Sequence, residues 1–338
     1  MMLTRGQLGW LIALAVAVVI GAIAALCIGP VGVPVREALG AVGRRITEGS
    51  SSGQDALITH IRLPRILLSI LVGGSLAVAG AAMQAVFRNP LAEPGITGVS
   101  AGAAVVAVAL IVTGAVSATS WLLPVGAFVG ALLSTTVVQA VGFGRAGTST
   151  ASLLLVGMAL NSFLGAITSA LIANAPDSED ARSAMFWLNG DLTGRTLADV
   201  SMIVIPLLIG VAGVLFFARE LNMLLLGEAT AQSAGVSVRL VSNVVLAFSA
   251  LATAAGVAAT GIISFVGLVV PHLVRLVFGV NHRFLLPASF MVGALFLMAA
   301  DTAARMLFNP IVLQTGTITA LIGAPFLLVL VLRRRRSQ

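Results

Sequence analysis

The chain has 338 residues, of which 59% are hydrophobic and only 9% charged, far below the roughly 25% charged expected of a soluble globular protein. A soluble multidomain protein is therefore excluded. The net charge of +7 comes entirely from arginine on the basic side, scattered singly between apolar runs except for Arg333 to Arg336, which argues against nucleic-acid binding and for charges that orient a chain in a bilayer.

A helix needs about 20 apolar residues to cross a hydrocarbon layer of about 30 Å. Ten such runs occur, at 8–28, 64–86, 95–113, 119–141, 151–173, 197–218, 240–258, 261–279, 284–307 and 312–332. They are rich in Gly and Ala and lack the alternation of a membrane β-barrel, so the predicted fold is an all-α integral membrane protein of about ten spans in a single domain covering 1–338. The first run is too long, and too far from any cleavage pattern, for a signal peptide, and is read as a permanent span. The single cysteine, Cys27, lies inside it, so no disulfide or cysteine metal site forms within one chain.

With the N-terminus inside, eleven arginines (Arg5, Arg88, Arg145, Arg219, Arg239, Arg275, Arg283 and Arg333 to Arg336) face the cytoplasm and eight face outward, four of them in the long 29–63 connection where the positive-inside rule weakens. Both termini are expected in the cytoplasm. Two outer connections are too long for plain turns: 29–63, with Pro34 and the Gly49–Gly53 stretch, and 174–196, with Asp177, Glu179 and Asp180. A third, 219–239, faces inside, is apolar on one side and is broken by Gly227 and Gly235. Two short surface helices with a glycine turn are predicted there. Glu220 and Glu228 with few arginines suit a protein partner better than anionic lipid.

The spans hold few ionisable groups, unlike those of an ion-coupled carrier. Arg88 and Glu93 sit at a span end, Asp301 and Arg305 near another, and His272 follows Pro271 and reads as a packing histidine rather than a metal or porphyrin ligand. No zinc-protease, serine-hydrolase or phosphate-loop motif occurs, so the chain is no evident enzyme and any ATP is hydrolysed elsewhere. The most distinctive chemistry follows the second span. Gly73, Gly74, Ser75, Ala77 and Gly80 allow close helix approach, and Arg88-Asn89-Pro90-Leu91-Ala92-Glu93-Pro94-Gly95 then breaks the helix, leaving backbone groups that lipid cannot satisfy.

Ile61-Arg62-Leu63-Pro64-Arg65, Gly80-x-x-Met83-Gln84-x-x-x-Arg88-Asn89-Pro90-Leu91-Ala92-x-Pro94, Met185-Phe186-Trp187-Leu188-x-Gly190, Leu221-Asn222-x-x-x-Leu226-Gly227-Glu228, Ser264-Phe265-Val266-Gly267-Leu268-Val269-x-Pro271-His272-x-x-Arg275, Ala300-Asp301-x-x-Ala304-Arg305 and Thr319 to Phe326 occur in this order across nearly the whole chain. Together they resemble the FecCD-type permeases of iron-siderophore, haem and cobalamin ABC importers. The resemblance implies ten helices per subunit, a second copy as partner, a pathway at the interface of the pair, two cytoplasmic ATPase subunits carrying ATP and Mg, and a periplasmic substrate-binding protein. It implies no cofactor on this chain. It further implies binding-protein docking at Arg62, Arg65 and Arg305, ATPase coupling through Glu220, Leu221, Asn222, Leu226, Gly227, Glu228 and Gly235, and a cytoplasmic gate at Asn89, Leu91, Ser149 and Thr150. Where the family usually has Glu-Leu-Pro-Val-Gly, this chain has Val312-Leu313-Gln314-Thr315-Gly316. Met158, Asn161, Ser162 and Phe163 offer a mostly apolar pathway wall, which favours haem as substrate over a ferric siderophore or cobalamin. An ion-coupled secondary carrier and a membrane receptor are the readings of a different class.

Overall fold

The computed structural model describes residues 4–48, 53–119, 121–143, 150–308 and 311–335. Arg145, Ser149, Arg336 and part of the Gly49–Gly53 stretch lie outside the described residues. Every regular element among those described is helical: α1 (Arg5–Cys27), α2 (Val35–Glu48), α3 (Gln54–Ala56), α4 (Leu63–Val86), α5 (Val99–Val112), α6 (Leu122–Phe143), α7 (Thr150–Ala173), α8 (Ser178–Leu188), α9 (Leu197–Phe216), α10 (Ala218–Leu224), α11 (Glu228–Ser233), α12 (Val238–Thr260), α13 (Val266–Phe278), α14 (His282–Met306) and α15 (Thr315–Arg335). A helix sits on each of the ten apolar runs. Seven of them (α1, α4, α6, α7, α9, α12 and α14) are long and apolar enough to cross a membrane, whereas α5, α13 and the apolar part of α15 are shorter.

The bundle is organised on α4, most of whose apolar stretch is buried. Its glycines explain how: a Cβ on Gly73 would overlap the carbonyl oxygen of Gly293 on α14, and one on Gly80 would overlap that of Gly267 on α13. Backbone meets backbone at these crossings, the contact that small residues permit in a medium offering no hydrophobic drive between helices. By contrast α1 is largely open to its surroundings and touches the bundle chiefly along α14, as where Gly21 faces Leu295. Its start is fixed by a capping box between Thr4 and Gln7.

The two long connections at the Arg62 end are structured. Residues 35–48 form the amphipathic α2, and a π-helical segment (Leu57–Arg62) leads without a break into α4. In the second, Asp177 accepts hydrogen bonds from the backbone N–H groups of Glu179 and Asp180 at 2.9 and 2.8 Å, so the acidic cluster caps the start of α8, where the helix dipole also favours it.

The predicted spans 95–113 and 261–279 begin late. Helix α5 starts only after a 3-10 turn (Pro94–Thr97) and Gly98 at φ +84°, and α13 after an extended stretch and Phe265 at φ +69°. At about 1.5 Å per residue these helices cover roughly two thirds of a bilayer core. Their starts face a cavity of about 360 Å³ bordered by Glu93, Gly95, Ser100, Asn161, Thr253 and Ser264. Irregular backbone at such depth is tolerated where protein or a cavity surrounds it.

Candidate functional site

The three candidate docking arginines come together at one end of the bundle, and a fourth residue explains how. Arg65, at the start of α4, donates to Asp301 of α14 from Nη2 at 2.6 Å, and Arg305 Nε lies 3.2 Å from the other carboxylate oxygen. Thr315 donates to the same Asp301 at 3.1 Å, so the stretch departing from the family's usual Glu-Leu-Pro-Val-Gly supplies a hydroxyl to this network. Arg62 is held differently: its guanidinium donates to the backbone carbonyls of Leu26, Cys27 and Val31, and Arg305 adds a bond to Ile28 at 3.3 Å. Gly29 lies directly over Arg62, where a Cβ would stand 2.8 Å from Nη2. All four charged side chains are buried, from 2% exposed for Asp301 to 6% for Arg305. Two cations thus share one carboxylate, with Arg62 held separately on the backbone carbonyls of the 26–31 segment. The motifs mark the three arginines but not Asp301 as the shared partner of Arg65 and Arg305, because 236 positions separate it from Arg65.

At the other end of α4 the chain turns by a Schellman motif: Arg88 N–H bonds to Ala85 and Asn89 N–H to Gln84, with Arg88 in the left-handed region at φ +47°. Asn89 then closes the turn through its side chain, accepting from Leu91 N–H at 3.0 Å, while its own carbonyl accepts from Ala92. Leu91 projects outward, 37% exposed. Behind the turn, Glu93 reaches the backbone of Phe265 and Asn161 donates to the Gly95 carbonyl at 3.0 Å. Of the other candidate gate residues, Thr150 opens α7, and Ser149 lies outside the described residues.

The 219–239 stretch forms two short helices whose candidate residues divide between two tasks. On α10, Leu221 is fully buried and Asn222 accepts from the His282 N–H at 2.8 Å while donating to Asn281 at 3.0 Å, so this helix is tied to the start of α14. Glu220 is half-buried beside them. Leu226 stands 64% exposed, and Gly227 and Gly235 take φ of +103° and +83° on either side of α11, conformations that side chains rarely adopt. Glu228, first in α11, pairs with Arg88 at 3.0 Å.

Helix α7 shows an open face. Met158 and Phe163 are 59% and 63% exposed, Ser162 is exposed beside them, and Asn161 is instead turned toward Gly95. His272 stacks edge-on against Phe326 at 5.9 Å, a helix-packing contact.

Comparison with known proteins bears on this arrangement. The model of the FecCD transport family matches residues 16–333. The cobalamin import system permease of Halobacterium salinarum is 47% identical over 81% of this chain and 73% of its own. The hemin transport system permease of Yersinia pestis is 41% identical over 82% and 84%, and a vitamin B12 import system permease of Escherichia coli is 36% identical over 98% and 97%. A solved inward-facing structure of an ABC transporter assigned to the metal-chelate type superposes with a TM-score of 0.83, at 32% identity, over 96% of this chain and 99% of that one. Likeness that runs from the first span to the last, in sequence and in backbone alike, decides the matter: this chain belongs to the FecCD transport family and is the permease subunit of a type II ABC importer.

Proposed function

We propose that this permease carries haem from the periplasm to the cytoplasm along the interface between two copies of the chain, both termini lying in the cytoplasm of a bacterial inner membrane. The observation that carries the proposal is the open face of α7, where Met158, Phe163 and Leu155 stand exposed with Ser162 as a sparse polar group. A second copy covering that face would enclose a mostly apolar wall, suited to passing a flat amphipathic metal complex without holding it tightly. Energy comes from two separate ATPase subunits binding ATP and Mg, docked over α10 and α11. The chain itself contains no lysine, so it cannot form a phosphate loop of the usual kind.

Delivery falls to a periplasmic binding protein. Arg65 and Arg305 share the single carboxylate of Asp301 and Arg62 meets only backbone carbonyls, which leaves an excess of positive charge that acidic residues of an arriving protein would complement by charge-assisted pairs. The guanidiniums lie under residues 26–31, so docking requires that segment to shift. A cobalamin substrate is the second reading, favoured by the 47% identity to the cobalamin permease.

The test is uptake into vesicles containing the permease with its ATPase, given binding protein loaded with haem, cobalamin or a ferric siderophore. Haem should stimulate ATP hydrolysis and accumulate. Stimulation by cobalamin or siderophore alone reassigns the substrate, and accumulation driven by an ion gradient without ATPase subunits removes the importer reading for a secondary carrier.

A further inference from the structure

The two short helices at the Glu228 end are mounted differently. Helix α10 is fastened: Leu221 and Leu224 are buried, and Asn222 is bonded to the start of α14. Helix α11 is six residues long, buries only Ala231, which packs into the core that also holds Leu221, and is bounded by Gly227 and Gly235, both at positive φ and both with open space where a Cβ would be. Two glycine turns flanking one short piece held to the core at a single small residue allow it to pivot about Ala231 as a unit. Its first residue, Glu228, reaches across to Arg88 at the head of the 88–95 turn.

Arg88 is not explained by the turn alone. The left-handed position of a Schellman motif is best filled by glycine, yet here an arginine occupies it at φ +47°. Nor does static stability explain it, since side chains 45% and 48% exposed gain little from an ion pair in water. The far side of the turn is anchored by Glu93 at Phe265 and by Asn161 at Gly95, and its middle is stiffened by Asn89. A displacement entering at Arg88 is therefore delivered at Leu91, the projecting side chain between that end and the anchored one.

We propose that the Arg88–Glu228 ion pair is the link by which α11, moved by the ATPase, moves the 88–95 turn, so that Arg88 and Glu228 are positioning residues for Leu91. The proposal rests on the readings of Leu91 as gate and of α10 and α11 as the ATPase dock. Covering this face with a partner removes water from the pair and lessens screening, which makes the link stiffest when the ATPases are engaged.

The test uses the permease assembled with its ATPase subunits, carrying Cys27→Ser and Leu91→Cys, and measures disulfide formation between the two copies with and without ATP plus vanadate. Arg88→Gly is the informative change, because it relieves the backbone while deleting the side chain. If the link is real, the nucleotide-dependent change in cross-linking falls about fivefold or more, the scale of ordinary coupling between sites, while the ATPase subunits still co-purify. The exchange Arg88→Glu with Glu228→Arg should restore much of the dependence. Unchanged dependence in Arg88→Gly overturns the proposal, and so does an exchange as defective as the single changes, which would assign the two residues to separate ATPase contacts. Cross-linking that ignores nucleotide in the Leu91→Cys parent, before Arg88 is touched, removes the gate reading and the proposal with it.

Discussion

The two ends of α4 both carry arginine, and they use it in opposite ways. At its start, Arg65 shares a carboxylate with Arg305 in a buried network, and Arg62 is saturated by backbone carbonyls. At its end, Arg88 makes one exposed pair with a short helix bounded by glycine turns. A charge removed from water must be matched in place, so the first arrangement fixes geometry and is expensive to disturb. A charge left in water loses little by parting from its partner, so the second can be made and broken within a cycle. The glycine-packed shaft between them spans 24 residues, roughly 36 Å, and joins the buried network to the exposed pair.

Asp301→Asn tests the contrast most severely. Without the carboxylate, Arg65 and Arg305 remain buried with no counter-charge, and a loss of about 3–5 kcal/mol in unfolding free energy is expected. Denaturation of the purified permease in detergent measures it, and a variant as stable as the parent would show the network to be dispensable. Next in size is Gly80→Ala. The three atoms nearest the new methyl all belong to the Gly267 backbone, so α4 and α13 must separate, at about 1–3 kcal/mol by the same assay. An unshifted transition there would mean that the shaft is looser than its backbone contacts imply. Smaller again in stability is Gly227→Pro, because a proline ring fixed near φ −65° cannot take the +103° found here, and only the α10–α11 turn need rearrange. Membrane insertion should be normal and substrate-stimulated ATP hydrolysis lost. Retention of full coupled transport in vesicles would detach this turn from the ATPase dock.

Much of this was legible in the sequence, for a physical reason. Crossing a bilayer demands long apolar runs, so each of the ten helices announced itself by composition, and Gly227 and Gly235 marked the turns around α11 because few other residues tolerate positive φ. The break before α5 was legible down to Pro94 and Gly95, but its continuation to Thr97 was not, and the late start of α13 was hidden because Gly261-Ile262-Ile263-Ser264 is as apolar as the helix it precedes. The site divided likewise. Motifs located Arg62, Arg65, Arg305, Asn89 and Leu91, but pairing depends on contacts between distant segments, and the sequence carries no signal that Asp301 holds Arg65 or that Glu228 meets Arg88. Leu221 illustrates the same limit: it belongs to a motif of the coupling stretch, yet it is buried as an anchor rather than presented to a partner.

Along α4 burial and position vary together, since the buried network and the exposed pair lie at opposite ends of the bundle. The Arg44–Asp55 pair separates them. It sits at the Arg62 end, makes two bonds of 2.7 Å, and yet leaves Arg44 47% and Asp55 22% exposed. The hydrogen bond from Arg44 holds the Asp55 carboxyl below its ordinary value of 3.8, against a smaller opposing effect of burial. A carboxylate whose folded value is lowered contributes stability above the unfolded value and loses it as pH falls through the folded one, so whatever this pair adds is complete at neutral pH and disappears only below about 4. If burial governs, Arg44→Ala should leave the unfolding transition at pH 7 almost where it was, and the small difference from the parent should vanish in acid. A loss at pH 7 matching that of Asp301→Asn would mean that position at this end of the bundle, and not removal from water, is what makes its arginines structural.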